Sequence, residues 1–314
     1  MILLCGMPSE PPLALVRRQL EELGVPYVLL DQQNVGDMEV EFRVSDGSVI
    51  GELEITDKRY SLEGFVGVYT RLMGSDLLSS TDNREDDVLK QLHCRSVYNG
   101  LLTWLEISLA RVVNRPASMG SNFSKPYQLQ IIREHGFAVP ETLVTNDPDL
   151  AREFWREHKR VVYKSISSTR SIVHTLCKED SERLERILWC PTQFQAFIDG
   201  VNVRVHTVGR TVYASAIVTD AIDYRYAHLQ GSSVAIYEIE LPEELAEHCV
   251  RLAEVLELPF AGIDLKITPS NCAYCLEVNP SPAFSYYEEQ TGQPISRALA
   301  LYLAGVKTEA PTRY

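Results

Sequence analysis

Residues 260–282 read FAGIDLKITPSNCAYCLEVNPSP, and this stretch decides how the rest of the chain is interpreted. Two β-rich runs flank a short Pro-Ser-Asn turn, a pattern that predicts an antiparallel hairpin. With the turn centred near residues 270–271, Asp264 lies opposite Glu277, their Cβ atoms about 5 Å apart. Asn279 is two residues further along and therefore lies on the same face of the strand.

The two opposed carboxylates need a cation between them if the hairpin is buried. Like charges directly across a ladder are destabilising, and burial would drive one carboxylate to bind a proton. Two carboxylates and the amide oxygen of Asn279 suit Mg²⁺, which prefers hard oxygen ligands. Apolar neighbours on both strands favour a buried hairpin. A solvated hairpin with two unrelated acids is the alternative.

Length and composition bound the class of protein. The chain has 314 residues, 45% of them apolar, which is enough for two or three subdomains with cores. No run approaches the ~20 apolar residues of a membrane span, and the N-terminus lacks a basic signal-peptide region, so we expect a soluble cytoplasmic protein. A net charge of −13 disfavours nonspecific nucleic-acid binding. Seven scattered cysteines indicate reduced thiols.

The N-terminal residues predict a βαβ unit at the start of a parallel sheet. The turn at residues 6–9 is not G-x-G-x-x-G, which argues against a dinucleotide site there. A polar hairpin over 39–55 and a strand ending near Arg71 follow. Arg71 could meet a substrate carboxylate or form an ordinary surface salt bridge. An apolar-striped helix over about 86–111 leads to a turn-rich loop that we interpret as a domain boundary.

Two lysines occupy positions suited to phosphate. Ser124 is predicted to cap a helix whose N-terminus carries Lys125, and helix N-termini favour anions. Lys164 lies in an apolar strand, where burial is costly unless an anion meets it. The hydroxyl-rich loop 165–171 can cradle phosphate with Ser167 and its neighbours, or it can be a polar hairpin turn.

Further elements are predicted around these lysines. We expect a strand over 137–145 and a helix over 183–190. Arg204 alternates with valines and could point into a cleft, whereas His206 on the same face is more typical of a structural histidine. Ser285 with Glu288 resembles a capping box before the final helix.

Together these elements resemble the ATP-grasp superfamily from about residue 113 to 305, with most likeness to the RimK-like branch that includes the peptide-maturing ligases of the microviridin (graspetide) type. The residues that carry the resemblance are Asn114-Arg115-Pro116, Ser124-Lys125-Pro126 with Gln128, Gly136 with Val139 to Thr142, Lys164, Gln193 to Ile198, Asn202-Val203-Arg204 with Gly209, Asp223-Tyr224-Arg225, Gly262-Ile263-Asp264, Glu277 to Pro280, and Thr291 to Ile295.

The resemblance implies an α/β (α+β) architecture: an ATP-grasp fold of two α+β subdomains that grip ATP, preceded by a Rossmann-like pre-ATP-grasp domain. The expected division is 1–112 for the pre-ATP-grasp domain with its connecting helix, 113–192 for the small lid subdomain, and 193–314 for the C-terminal subdomain that carries the Mg²⁺ site.

The resemblance also implies residue roles. The ATP phosphates would be contacted by Lys125, Lys164 and Ser167, and the adenine hinge would be formed by Gln195, Ala196, Phe197 and Ile198. Two Mg²⁺ ions would be held by Asp264, Glu277 and Asn279, with Glu277 bridging. The γ-phosphate, and the acyl phosphate made from it, would be stabilised by Arg204 and Arg225, and Arg71 matches a strand-end arginine of the family. The hinge position that often carries Glu is Ala196 here, so Asp199 or Asn202 would have to reach the ribose.

The implied reaction is an ATP-dependent ligation through an acyl phosphate, giving an amide or an ester. A phosphotransferase or a nucleotide-binding module without turnover are the alternatives. Expected partners are ATP and a carboxylate-bearing peptide or amino acid, with no nucleic acid and no membrane, and a homodimer is compatible with this interpretation. An acyl phosphate must be kept from water, which predicts a lid within 121–192 that closes on ATP.

Overall fold

The computed structural model describes residues 1–74, 85–166, 173–219 and 233–306, with only the backbone for 85–87. Its N-terminal part is a four-stranded parallel sheet, in the order β2-β1-β6-β7, beside a three-stranded antiparallel sheet, β3-β4-β5. The elements are β1 Ile2–Gly6, α1 Pro11–Glu22, β2 Tyr27–Asp31, β3 Met38–Ser45, β4 Ser48–Ile55, β5 Lys58–Ser61, β6 Gly67–Thr70, α2 Glu85–Ile107 and β7 Arg111–Val113.

The end of α2 differs from the sequence prediction. The helix stops at Ile107, not near 111, and the chain then forms the short strand β7. The hydroxyl of Ser108 accepts from the amide of Ala110, and the two valines of β7 are buried. A strand of three residues, such as β7, is too short to show a recognisable pattern in the sequence. The four-residue strand β5 was not predicted because it is also very short.

The second unit is a four-stranded sheet in the order β10-β9-β11-β8. Its elements, with the helix that precedes them, are α3 Lys125–Glu134, β8 Thr142–Thr145, α4 Pro148–His158, β9 Val161–Ser165, β10 His174–Thr175 and β11 Thr192–Ala196. The strand predicted over 137–145 is confined to β8, because Pro140 cannot donate to a ladder. The segment predicted as a helix over 183–190 is a 3₁₀ helix, Arg183–Trp189.

The third unit is a five-stranded antiparallel sheet in the order β14-β13-β12-β15-β16. Its elements are β12 Val201–Val208, β13 Thr211–Val218, β14 Ala235–Ile239, α5 Glu243–Val255, β15 Phe260–Ile267, β16 Ala273–Asn279, α6 Ser285–Thr291 and α7 Ile295–Ala304. One face buries an apolar cluster against α3 and α5. Arg204, Asp264 and Glu277 lie on the opposite face.

The start of α6 corrects the predicted capping box. Phe284 is the N-cap residue of α6 and makes no side-chain capping bond. Glu288 instead accepts hydrogen bonds from the backbone amide and the hydroxyl of Ser296, at 2.7 and 2.6 Å. The carboxylate therefore caps the first turn of α7, eight residues further along.

A shared apolar cluster joins the first unit to the third. It combines Leu13 and Val16 of α1 with Leu299 and Leu303 of α7, and all four side chains are buried. The two ends of the described chain therefore pack against each other. Within the described ranges no helix is long and apolar enough to cross a membrane.

Candidate active site

The hairpin β15–β16 has the register that the sequence predicts at its carboxylates. Asp264 pairs with Glu277, and Gly262 pairs with Asn279. The register shifts by one residue immediately afterwards, since Leu265 pairs with Cys275. Leu276 is thus the extra residue of a β-bulge, which the sequence did not indicate.

The bulge directs Glu277 to the face of the sheet that also carries Arg204 and Asp264. On a regular strand Cys275 and Glu277 would share a face. Here Cys275 and Val278, three positions apart, are both fully buried in the core cluster, while Glu277 projects to the other side. Burial raises the pKa of the Cys275 thiol well above its ordinary value, so this thiol stays neutral.

Two lysines from separate elements converge on Glu277. The ammonium of Lys125, at the start of α3, donates to Oε2 of Glu277 at 2.7 Å. The ammonium of Lys164, near the end of β9, lies 3.9 Å from the same oxygen. Both lysine side chains are 9% exposed. The four-stranded sheet β10-β9-β11-β8, called the small sheet below, therefore approaches the five-stranded sheet through its charged face at this carboxylate. The region between these two faces is called the cleft.

Arg204 compensates the second carboxylate. It pairs with Asp264 across β12–β15, and its guanidinium lies 2.7 Å from Oδ1 of Asp264. Gly262 makes room for this arrangement, because a Cβ there would lie 3.2 Å from Cζ of Arg204 and 2.7 Å from Cβ of Pro282. The carboxylates that the sequence placed opposite each other are each met by a side-chain cation.

Two buried amide side chains hold the hairpin in place. Gln128 donates to the carbonyl of Val278 at 2.8 Å and accepts from its amide at 2.9 Å. This closes the outer edge of β16, and it places α3 so that Lys125 reaches Glu277. Asn114 donates to the carbonyls of Phe260 and Pro280 and accepts from the Phe260 amide, which joins the start of β15 to the end of β16.

Asn279, the third predicted metal ligand, lies on the cleft side of β16 and is half-buried. Its side-chain oxygen accepts from the amide of Ser281 at 3.0 Å, which fixes the orientation of the amide group. With Asp264 and Glu277 it gives two carboxylates and one amide oxygen on neighbouring strands. This hard-oxygen set fits Mg²⁺, which takes few protein ligands and completes its shell with water and phosphate oxygens.

The small sheet has an apolar face and a polar face. Phe194 and Val161 pack into a core with α4. Alternation places Lys164, Gln193 and Gln195 on the other face, and Lys164 pairs directly with Gln193. Because Lys164 approaches Glu277 of the other sheet, this polar face lines the cleft between the two sheets.

The predicted hinge residues follow Gln195, whose side-chain amide donates to the hydroxyl of Thr142 at 3.0 Å. The amides of Ala196 and Phe197 donate to the backbone carbonyls of Glu141 and Arg160, both at 2.9 Å. Ile198 continues the chain between β11 and β12. The backbone carbonyl groups of the hinge residues Ala196 to Ile198 are the atoms of this segment that can accept a hydrogen bond from an adenine amino group.

The residues proposed for the ribose lie just beyond the hinge. Asp199 is paired with Arg160, whose guanidinium donates to both carboxylate oxygens at 2.6 and 2.7 Å and also stacks on the Phe197 ring. Asn202 shares the cleft-side face of β12 with Arg204 and pairs with Lys266. Burial lowers the pKa of Lys266, while the charge of Asp199 opposes this shift.

Arg71 is held inside the molecule rather than on its surface. Its guanidinium donates twice to Glu10, at 2.8 and 2.5 Å, and once to the hydroxyl of Ser281 at 3.1 Å. The side chain is 8% exposed. Arg71 thus links the first sheet to the loop after Asn279, and a contact with a substrate carboxylate stays a prediction.

Two predicted residues, Ser167 and Arg225, lie outside the described residues. His206 is described: it lies two residues from Arg204, is fully buried, and packs against Phe260 and Tyr287. Burial, and secondarily the charge of Arg204, lowers its pKa well below the ordinary histidine value. A neutral histidine among aromatic rings agrees with the structural role expected for it.

The fold places the chain in the ATP-grasp class. D-alanyl-alanine synthetase A from Vibrio cholerae shares this fold with a TM-score of 0.61 at 12% identity, over 97% of each chain. Residues 124–303 match the RimK-like ATP-grasp domain. This is more than half of the sequence, and the chain belongs to that family.

Solved structures of similar ligases align along nearly the whole chain. The ATP-grasp ligase PsnB, in complex with a minimal precursor, Mg and ADP, is 28% identical with a TM-score of 0.78, covering 97% of this chain and 96% of PsnB. The macrocyclase MdnC from Microcystis aeruginosa, bound to the precursor peptide MdnA, shares the fold at 22% identity with a TM-score of 0.79, covering 97% of this chain and 100% of MdnC.

Curated relatives match over a shorter extent. A probable alpha-L-glutamate ligase from Rhodopirellula baltica is 26% identical over 234 residues, 70% of this chain and 56% of that protein. A protein of the same description from Stutzerimonas stutzeri is 25% identical over 61% of this chain and 66% of its own length. The chain thus spans between about half and two thirds of the length of these relatives.

Sequence reasoning missed three features of the site. Gly262 was quoted within a motif, but nothing in one sequence shows that a side chain there would meet Arg204. The bulge at Leu276 has no compositional signal. Gln193 was given no role, although it is a buried polar residue beside Lys164. Polar residues alternating with apolar ones in β11 are the signal that could have drawn attention to it.

Proposed function

We propose that this chain is an ATP-dependent ligase that activates a carboxylate as an acyl phosphate and joins it to an amine or a hydroxyl, forming an amide or an ester. The observation that carries the proposal is the convergence of Lys125 and Lys164 on Glu277. A lysine at the start of α3 and a lysine of the small sheet thus face the carboxylates of the five-stranded sheet, and a nucleoside triphosphate with its metal ions requires such complementary charges.

The cleft residues have distinct parts in this reaction. Asp264, Glu277 and Asn279 would hold two Mg²⁺ ions, with Glu277 shared, and the metal would neutralise charge on the phosphates. Lys125 and Lys164 would bind phosphate oxygens. Little covalent chemistry is left to the protein, because phosphoryl transfer depends on positioning and on stabilising charge.

Arginines would stabilise the transferred group. Arg204 lies on the cleft face beside Asp264, and this position supports a contact with the γ-phosphate and then with the acyl phosphate. Arg225 would share this task, as the family resemblance implies. Ser167 would add a phosphate contact, and the hinge from Gln195 to Ile198 would hold adenine, with Asp199 or Asn202 at the ribose.

A carboxylate-bearing peptide is the substrate that the comparisons favour. The PsnB complexes with precursor peptides cover 97% of this chain and nearly all of PsnB. A free amino acid is the second candidate, supported by the likeness to the probable glutamate ligases over part of their length.

We further propose that the protein acts in the cytoplasm and that it forms a homodimer. Light scattering of the purified protein tests the oligomeric state directly.

The decisive experiment is ADP release by the purified chain with Mg²⁺ and candidate peptides, read together with product mass. A ligase gives a product lighter by one water than its joined parts, whereas a phosphotransferase gives a phosphate adduct. Asp264→Asn and Glu277→Gln should lower turnover by about 10²- to 10³-fold. Glu254→Gln is the matched control, because Glu254 is exposed and pairs only with Arg210 among the described residues. Unchanged turnover in both site variants would rule out the assignment.

A further inference from the structure

Gln193 is a buried amide whose hydrogen-bonding capacity is unused. Its side chain has no exposed surface. Neither its oxygen nor its nitrogen has a hydrogen-bond partner in the part of the chain that the structure describes. Leaving a buried amide unpaired is destabilising, and buried polar groups in native proteins are nearly always satisfied. An amide in this condition indicates a partner that comes from outside the chain.

The position of Gln193 shows where that partner lies. In the small sheet it pairs with Lys164 on one side and with Val144 on the other. Its neighbour Phe194 points into the core with α4, so Gln193 points to the opposite face, with Lys164. Because Lys164 reaches to 3.9 Å from Glu277, this face is the side of the cleft that the proposed function assigns to the nucleotide.

The chemistry of the amide selects among the parts of a nucleotide. Phosphate oxygens only accept hydrogen bonds, so they would satisfy the NH₂ group and leave the carbonyl oxygen unpaired. Ribose hydroxyls can donate as well as accept, but the proposed function assigns the ribose to Asp199 or Asn202, beyond the hinge. Adenine offers a donor at N6 beside an acceptor at N7, and glutamine pairs with these two atoms in a bidentate manner. Guanine presents two acceptors, O6 and N7, at the same edge. Gln195 is less suited, because one hydrogen of its NH₂ group donates to Thr142 and this bond fixes the orientation of the amide.

We propose that the side-chain amide of Gln193 binds the N6–N7 edge of the adenine of ATP and makes the site select adenine over guanine. The inference rests on the proposed nucleotide-binding function and adds a specificity-determining residue to it. It gives the small sheet two adjacent tasks, with Lys164 at the phosphates and Gln193 at the base.

The test measures binding rather than turnover. Calorimetric titrations of the full chain with ATP and with 7-deaza-ATP, which lacks the N7 acceptor, should show about three- to tenfold weaker binding of the analogue. GTP should bind more weakly still. In Gln193→Met, which keeps the length of the side chain, ATP should weaken by a similar factor and the two adenine nucleotides should bind equally. Equal binding by the native chain, or preserved discrimination in Gln193→Met, would overturn the proposal.

Two further variants keep the test decisive. Gln32→Met removes a buried amide that is fully used, since Gln32 bonds both the carbonyl and the amide of Met73. It should retain the native ratio of the two affinities, and a lost ratio would count against a specific role of Gln193. If Gln193→Met does not fold, Gln193→Glu replaces it: the carboxylate accepts from N6 but cannot donate to N7, so 7-deaza-ATP should bind as well as ATP. If the protein does not ligate peptides but keeps the native ratio of affinities for ATP and 7-deaza-ATP, the proposed reaction is rejected and the role of Gln193 is not.

Discussion

The ammonium of Lys125 lies 2.7 Å from Oε2 of Glu277, although the two residues are 152 positions apart in the sequence. Lys125 begins helix α3, and Glu277 lies in strand β16. The pair is nearly buried, so its electrostatic attraction is weakly screened by solvent. A predicted phosphate-binding group and a predicted metal ligand are therefore in direct contact, and each restrains the availability of the other.

The first prediction follows from this contact. In Lys125→Met a competing cation is removed from Glu277, so the affinity for Mn²⁺, used as a probe of the Mg²⁺ site, should rise by about tenfold, whereas the affinity for ATP should fall by about tenfold. Electron paramagnetic resonance measures free Mn²⁺ and calorimetry measures ATP binding. Arg210→Met, which breaks an exposed ion pair with Glu254, should alter neither affinity. A fall in both affinities in Lys125→Met would contradict the proposed competition.

The second prediction concerns the amide that closes the edge of β16. Gln128→Met leaves the amide and carbonyl of Val278 without their partners, and we expect the free energy of unfolding to fall by about 2–4 kcal/mol. Urea denaturation measures the change. Gln130→Met lies two positions away on the exposed side of α3 and should change stability by less than about 0.5 kcal/mol. Equal effects of the two substitutions would refute the role of Gln128.

A third prediction tests the close approach at Gly262. In Gly262→Ala the new methyl group would meet Pro282 and the guanidinium of Arg204, so one of them must move. Overpacking of this kind costs about 1–3 kcal/mol, and displacement of Arg204 should also reduce turnover. Thermal unfolding and ADP release report the two effects. Gly64→Ala serves as the control because nothing lies within 4 Å of its added Cβ, and normal turnover in Gly262→Ala would show that Arg204 is not displaced.

The fourth prediction is a dependence of stability on pH. Burial holds the pKa of His206 well below its ordinary value, so the folded chain keeps this ring neutral while the unfolded chain binds a proton below about pH 6.5. The unfolded state then binds more protons, and the free energy of unfolding should fall as the pH drops below 6.5, by at most ~1.4 kcal/mol per pH unit from this residue.

His206→Phe should keep the contacts with Phe260 and Tyr287 and remove the pH-dependent contribution of this ring. Denaturation in urea between pH 5.5 and 7.5 gives the slope for each protein. The variant should lose less stability than the native chain on acidification. Parallel pH profiles for the two proteins would show that His206 is not responsible.

The sequence was most informative where chemistry and spacing agreed. Asp264 and Glu277 could be placed opposite each other because a short turn sets the register of a hairpin. The ATP-grasp fold and the RimK-like family, both inferred from the order of motifs, are confirmed. The expected domain boundaries and the roles of the site residues remain predictions.

The misjudged parts depend on contacts between distant residues. The capping box at Ser285 was wrong because Glu288 caps α7 instead, which no local pattern indicates. The bulge at Leu276 puts Cys275 and Glu277 on opposite faces of β16, and no residue type in that strand indicates it. The alternative of a surface salt bridge for Arg71 was wrong only in its placement, because the arginine is buried and its partner Glu10 lies in the turn before α1, 61 positions away. Short-range patterns cannot reveal such pairs.

The apolar cluster shared by α1 and α7 has a consequence for dissecting the molecule. Residues 124–303 match the family, yet Leu299 and Leu303 of that segment bury their side chains beside Leu13 and Val16, which lie outside it. A fragment cut to the family match would expose this surface to water. The segment that the family comparison recognises is therefore not a self-contained core, and we expect it to be less stable alone than within the full chain. A chimaera of two ligases should therefore take residues 1–112 and helix α7 from the same protein.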